Sequence, residues 1–192
     1  MTMQKGTVSV LVFLLMTTLC APTVVAQTGA LNGEWRSYGG DDGSTKYAAL
    51  DQIDADNVDR LQVAWQWESS DTAVIANREL RAGAFKATPL MVGGVLYIRT
   101  SLSIVAAIDA ETGELAWKGG RYGHGQLLLA DGHLVVLTER GDVVLVRATP
   151  DGHDELARFA AIRGKTWNTP TIADGRLFVR NTTEMAAFNI EP

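Results

Sequence analysis

Three segments of this chain align on a glycine that closes a short apolar run. They are Thr88-Pro-Leu-Met-Val-Gly-Gly94-Val-Leu-Tyr-Ile, Gln126-Leu-Leu-Leu-Ala-Asp-Gly132-His-Leu-Val-Val and Thr169-Pro-Thr-Ile-Ala-Asp-Gly175-Arg-Leu-Phe-Val. The copies recur at intervals of roughly 40 residues, the period of one four-stranded propeller blade. That spacing constrains the fold more than any other feature, because a unit this small cannot bury its apolar face alone and must stack on neighbours.

Within each copy the Gly-Gly94, Asp-Gly132 or Asp-Gly175 pair signals a tight hairpin turn, where glycine tolerates a positive φ. Second strands are predicted at Val95 to Ile98, Leu134 to Leu137 and Leu177 to Val179, and third strands at Ile104 to Ile108, Val143 to Val146 and Met185 to Ile190. A fourth strand at Leu115 to Lys118 ends the first copy. Leu156 to Phe159 ends the second, with Phe159 where the first copy has Trp117. The third copy shows no fourth strand of its own, whereas Leu61 to Glu68 reads as an orphan strand with alternating Val63, Trp65 and Trp67. The pattern predicts an all-β partial β-propeller of about three four-stranded antiparallel blades, with the orphan strand 61–68 completing the last. The blades fall at about 85–118, 122–160 and 166–190. Ahead of them an N-terminal extension, 27–60, carries a short helix predicted from Ala55 to Leu61 and capped by Asp54, and Ser69 to Ala84 reads as a polar surface loop.

Met1 to Ala26 has an early cation, Lys5, an apolar run from Val8 to Leu19, and a Val24-x-Ala26 step, which reads as a secretory signal peptide cut after Ala26. The run is shorter than the ~20 residues a membrane span needs, so no stable span is expected after cleavage. Cleavage also removes the lone cysteine, Cys20, and with it disulfide, thiolate-metal and cysteine-nucleophile chemistry. A periplasmic or secreted location follows. Net charge is −5, and without a basic stripe no nucleic-acid partner is expected.

The residues that enter the three innermost strands at matching positions are Lys86, His124 and Trp167. In a propeller such positions gather at one axial mouth, where a cation, an imidazole and an indole suit a planar anion; the alternative is that they are solvated strand starts. His124, His133 and His153 show no ligand spacing, so no metal site is expected of them. Asp41-Asp42 before Gly43-Ser44 reads as a turn. Asn181-Thr-Thr183 has the form of a glycosylation sequon.

The segment Ala107-Ile-Asp109-Ala-Glu-Thr112-Gly113-Glu-Leu-Ala-Trp117 resembles the tryptophan-docking motif of PQQ-type propeller repeats in quinoprotein dehydrogenases. In that family Ala107, Asp109, Thr112, Gly113 and Trp117 would form a structural motif whose indole packs between blades. Tyr38-Gly-Gly-Asp41, Thr45-x-Tyr47, Leu50, Ile53, Asn57-Val58, Leu61 and Ala64-Trp65 resemble the start of such alcohol and glucose dehydrogenases. The likeness covers about 33–118, and 119–192 is similar to generic PQQ-like repeats. The resemblance implies eight blades, PQQ in the axial funnel, Ca²⁺ beside it and an aspartate base. This chain departs in blade number, in lacking a cysteine pair, and in lacking segments that match the calcium ligands or the base. It is therefore expected to act as a binding or assembly module, through self-association or a protein partner on its open blade faces. The alternative is a PQQ-dependent dehydrogenase fragment completed by other blades.

Overall fold

The computed structural model describes residues 29–69, 71–78 and 87–190. Residues 1–26, expected to be a signal peptide, and Lys86 lie outside them. Among the described residues eleven strands form three antiparallel sheets in chain order. Blade 1 is β1 (Leu90–Val92), β2 (Val95–Arg99), β3 (Ile104–Asp109) and β4 (Leu115–Arg121). Blade 2 is β5 (Gln126–Ala130), β6 (His133–Leu137), β7 (Asp142–Arg147) and β8 (Glu155–Ala160), and blade 3 is β9 (Thr171–Ala173), β10 (Arg176–Arg180) and β11 (Met185–Asn189). The architecture is an unclosed row of propeller blades.

The repeat extends to individual hydrogen bonds. Each aligned turn glycine accepts, on its carbonyl, the amide of the residue that follows the third strand: Ala110 to Gly94, Ala148 to Gly132 and Ile190 to Gly175, each at 2.9 Å. At the opposite end of the second strand a buried polar residue organises the next turn. Thr100 Oγ1 accepts from Ile104 N, Thr138 Oγ1 from Asp142 N, and Asn181 Oδ1 from Thr183 N and Glu184 N. Asn181 also donates its Nδ2 to the Arg163 carbonyl, so the sequon asparagine is a buried turn residue. Its amide nitrogen is already engaged inside the fold.

Aromatic side chains join each outer strand to the following blade. Trp117 on β4 is buried, and its Nε1 donates to the Thr149 carbonyl of blade 2 at 2.6 Å. It sits in a core cluster with Tyr97 and Val105 of blade 1 and Leu129, Leu134 and Val144 of blade 2. Phe159 on β8 meets Phe188 of blade 3 edge-to-face at 5.1 Å. A phenyl ring fills less space than an indole and has no N–H. The apolar cleft beside it, about 280 Å³, is lined by Val135, Val143, Ile172 and Leu177.

Three expectations change. Residues 61–68 form no strand and do not pair with blade 3. Instead Trp65 Nε1 donates to the Ala110 carbonyl of blade 1 at 3.0 Å, its ring lies against Gly113, and Trp67 packs on Ile98, Ala106 and Ile108. Of the alternating Val63, Trp65 and Trp67, the two indoles meet blade 1 while Val63 is exposed, so the expected strand is replaced by a segment docked through its tryptophans. Second, the region predicted as a helix from Ala55 to Leu61 is a turn followed by one 3₁₀ turn, Val58–Arg60. Asp54 Oδ1 accepts from Asp56 N there, stabilising the turn instead of capping a helix. Third, the predicted loop Ser69 to Ala84 contains α1 (Asp71–Arg78). Asp71 at its start is buried, with Oδ2 accepting from Leu102 N at 2.8 Å and Ser101 Oγ at 3.5 Å, so the helix is fixed by a tertiary contact that periodicity does not reveal.

The extension closes the inner edge of blade 1, where Trp35 and Met91 exchange backbone bonds of 2.8 and 2.9 Å. Asp41, the first acid of the Asp-Asp pair, accepts from Thr45 N and Thr45 Oγ1, as a turn residue does.

Candidate functional site

One mouth of the blade row is built from the linkers between blades and from the turns after each second strand. Backbone bonds stitch these together in relay: Tyr122 N donates to Ser103 O, Glu139 N to Tyr122 O and Thr166 N to Glu139 O, at 3.0, 2.8 and 2.9 Å. The relay runs from blade 1 through blade 2 to the entry of blade 3. It fixes where the linker side chains emerge.

His124 and Trp167, which the repeat alignment places at matching positions, come together at this mouth with ring centroids 5.0 Å apart. The structure adds a residue that the alignment missed. Glu139 accepts from His124 N, engages His124 Nδ1 at 3.2 Å, and accepts from Trp167 Nε1 at 3.0 Å. The indole N–H first, and the His124 donors after it, hold its carboxyl at about 2 against partial desolvation. A carboxylate is thus the hub of the pair. Trp167 also carries Lys165 Nζ over its ring, 3.8 Å from the centroid.

Beside this trio lies a cleft of about 580 Å³ lined by Ser103, Arg121, Tyr122, Glu139, Arg140 and Arg158 among others. Its wall is a polar network between the outer strands. Tyr122 Oη lies 2.8 Å from His153 Nε2 and donates to Glu155 Oε2 at 3.2 Å, while Arg158 grips the same carboxylate through Nε and Nη2. Burial, reinforced by the Glu155 charge, pushes the Tyr122 phenol above its ordinary range. The Arg158 hydrogen bonds hold the Glu155 carboxyl below its own.

The quinone and calcium that the family implies can be tested against these residues. A planar anion at the mouth would meet the Glu139 carboxylate, find the indole N–H of Trp167 already engaged, and have to displace Lys165 from one ring face. Among the described residues no group of three or more His, Cys, Asp or Glu is placed to hold a metal ion. The mouth as these residues build it therefore does not suit a planar anion such as PQQ. Their arrangement suits a role in organising the mouth.

The docking motif is assembled as a capped turn. Asp109 Oδ1 accepts from Glu111 N, Thr112 N and Thr112 Oγ1 at 2.9, 2.8 and 3.0 Å, holding its carboxyl below the usual range, mostly through the Thr112 amide. Gly113 takes φ 75° and presents a bare Cα to Trp65; a Cβ there would fall 2.6 Å from the indole. Ala107 is buried opposite Trp117 in the β3–β4 ladder.

The comparisons match this geometry. The family model for the glucose, ethanol and alcohol dehydrogenase β-propeller domain, of the PQQ type, matches residues 35–135. The chain belongs to the PQQ β-propeller family. The dehydrogenase subunit of a quinone alcohol dehydrogenase from Gluconobacter oxydans is 39% identical over 92 residues, covering 48% of this chain and 11% of that protein. The corresponding subunit from Gluconacetobacter polyoxogenes is 30% identical over 174 residues, covering 78% of this chain and 22% of that protein. The crystal structure of quinohemoprotein alcohol dehydrogenase from Comamonas testosteroni superposes with a TM-score of 0.67 at 24% identity, over 86% of this chain and 27% of the other. At that identity the superposition speaks for the fold alone. The PQQ propeller segment seen here thus spans roughly a tenth to a quarter of the proteins it resembles. The match to 135 reaches into blade 2.

Glu139 was legible in principle. Thr100, Thr138 and Asn181 repeat with the same intervals as the turn glycines, which places Glu139 in the turn facing the linkers.

The Glu139 hub has a pH signature. Its carboxyl sits lower in the folded protein than in the unfolded chain, so its stabilisation is present above about 4.5 and is lost as pH falls toward 2. Urea midpoints from pH 6 to pH 2 are expected to fall less steeply for Glu139→Gln than for the parent, with Trp167 emission shifting in step. Identical profiles would show that the carboxylate does not stabilise the mouth.

Proposed function

We propose that this chain is an exported PQQ-propeller module that works by self-association rather than by carrying an active site of its own. The observation that carries the reading is that large apolar side chains stand exposed on the first and last described elements of the blade row. Among the described residues blade 3 has three strands where blades 1 and 2 have four, and the segment 61–69 lies against blade 1. Leu61 and Val63 are exposed at one end and Met185 at the other. The leader at Met1 to Ala26 supports export to the periplasm or beyond. No helix among the described residues is long and apolar enough to cross a membrane. On this reading PQQ and Ca²⁺ become relevant only in a ring that further blades complete.

A second reading is favoured by the 39% identity to a quinone alcohol dehydrogenase subunit. Here the chain is a PQQ-dependent alcohol or sugar dehydrogenase segment whose site other blades complete. Dye-linked oxidation of ethanol and glucose by the purified chain, loaded with PQQ and Ca²⁺, separates the two. The module reading expects turnover no greater than in protein-free buffer. PQQ-dependent turnover would overturn it in favour of the enzyme.

A further inference from the structure

We infer that the cleft of about 580 Å³ beside the mouth is a binding site for a small dicarboxylate, held between Arg121 and Arg140. The site stands apart from self-association, since both arginines and the cleft they line belong to one chain. Arg121 ends β4 of blade 1, and Arg140 sits in the turn after β6 of blade 2. The backbone relay brings them together. Tyr122, the residue after one arginine, accepts on its carbonyl the amide of Glu139, the residue before the other, at 2.8 Å. The flanks are anchored too: Arg121 pairs with Ile104 in the β3–β4 ladder, and the Gly141 carbonyl just past Arg140 takes the amides of Ala161 and Ile162. Both side chains are exposed, so a ligand reaches them from solvent while their backbone stays fixed.

The charged groups of the cleft are unevenly paired. Glu139 turns Oε1 to Trp167 Nε1 and Oε2 to His124, and Asp142 Oδ2 faces Arg158 Nη1 at 3.4 Å. Arg158 is further committed to Glu155 through Nε and Nη2. Arg121 and Arg140 line the same cleft, and among the described residues neither has a carboxylate partner. Two guanidinium groups held at one cleft repel each other, and an anion between them removes that repulsion, most effectively where protein walls focus the field. A guanidinium fork takes a planar carboxylate through two parallel N–H···O bonds, so two forks from different blades call for two carboxylates on one molecule. The volume falls within the range of about 300–1,000 Å³ of small-molecule sites, which is room for more than one anionic group. Ser103 Oγ, on the wall, accepts from Arg99 Nη1 at 3.4 Å, which leaves its O–H to donate to a ligand oxygen. The Glu139 carboxylate repels an anion from the His124 and Trp167 side and so orients the ligand toward the arginines.

Isothermal titration calorimetry of the full chain at low ionic strength tests the site, with succinate, glutarate and adipate as probes and acetate and inorganic phosphate as comparators. Saturable binding of at least one dicarboxylate is expected, about tenfold or more tighter than either comparator, because a second charge-assisted contact is gained. Arg121→Gln and Arg140→Gln are each expected to weaken that binding about tenfold or more while the thermal transition stays in place. Arg176→Gln, an exposed arginine at the start of β10, is expected to leave it unchanged. A smaller margin over acetate would overturn the two-arginine site, as would phosphate binding as tightly as the best dicarboxylate. Binding retained by either cleft variant, or lost equally in Arg176→Gln, would overturn it as well.

Discussion

Trp117→Ala is expected to lower stability by about 3–5 kcal/mol, the range for truncating a large buried aromatic, and to separate the unfolding of blade 1 from that of blade 2. Two effects combine at this position. The indole fills the joint between the sheets, in contact with Tyr97 at 6.1 Å and His153 at 5.5 Å between ring centroids, and its Nε1 satisfies the Thr149 carbonyl. Repeat arrays owe their cooperativity to such nearest-neighbour interfaces, so removing one should split the denaturant transition in two. Trp117→Phe keeps most of the ring and loses only the hydrogen bond, for which about 0.5–1.5 kcal/mol is expected. Urea titrations followed by tryptophan emission and far-ultraviolet circular dichroism check this. A single unshifted transition for Trp117→Ala would show that the blades are not coupled through the indole.

Gly141→Ala should be comparably damaging, although it deletes nothing. Gly141 has φ 93°, a conformation that strains any residue with a Cβ. Its carbonyl accepts both Ala161 N and Ile162 N, bringing the linker to blade 3 so close that a Cβ would fall 2.1 Å from the Ile162 carbonyl oxygen. The neighbour in the way is backbone, which cannot swing aside as a side-chain tip can. Strain and displacement together place the loss on the order of 3 kcal/mol or more, concentrated on blade 3. Gly132→Ala, also at positive φ but facing open space, is expected to lose only about 1–2 kcal/mol. Hydrogen exchange is the appropriate measurement. It should show β9 to β11 losing protection in Gly141→Ala while β1 to β4 keep theirs; equal protection in all three blades would contradict the close approach.

The blades were legible because their signals are local. A glycine at a hairpin turn, a β-branched run and an aromatic on the outer strand each act within a few residues, and their recurrence reinforces every copy. The contacts that place Trp65 and Asp71 are not local. Trp65 reads as a strand residue of alternating pattern, yet its position is decided by a carbonyl at Ala110; Asp71 reads as a loop acid, yet it is buried against the Ser101–Leu102 turn. Period and composition have no means of naming such partners. At the mouth the matching positions brought His124 and Trp167 together, whereas Glu139 between them belongs to a turn whose side chains carry no strand pattern. Its role depends on the fold to bring two linkers to one carboxylate. The same distinction applies to Phe159, whose place in the outer-strand series was readable but whose incomplete filling of the joint with blade 3 needed the packed sheets.

The docking contacts at Trp65, Trp117 and Phe159 describe one direction along the row, each element seated on the blade that follows. The apolar side chains left exposed along that row, Val63 and Met185 among them, are the basis of the proposed self-association. Multi-angle light scattering across a concentration series tests this most directly. A species of two chains that accumulates with concentration and keeps a cooperative thermal transition is expected. A cooperatively folded protein with the mass of one chain at every concentration would contradict it.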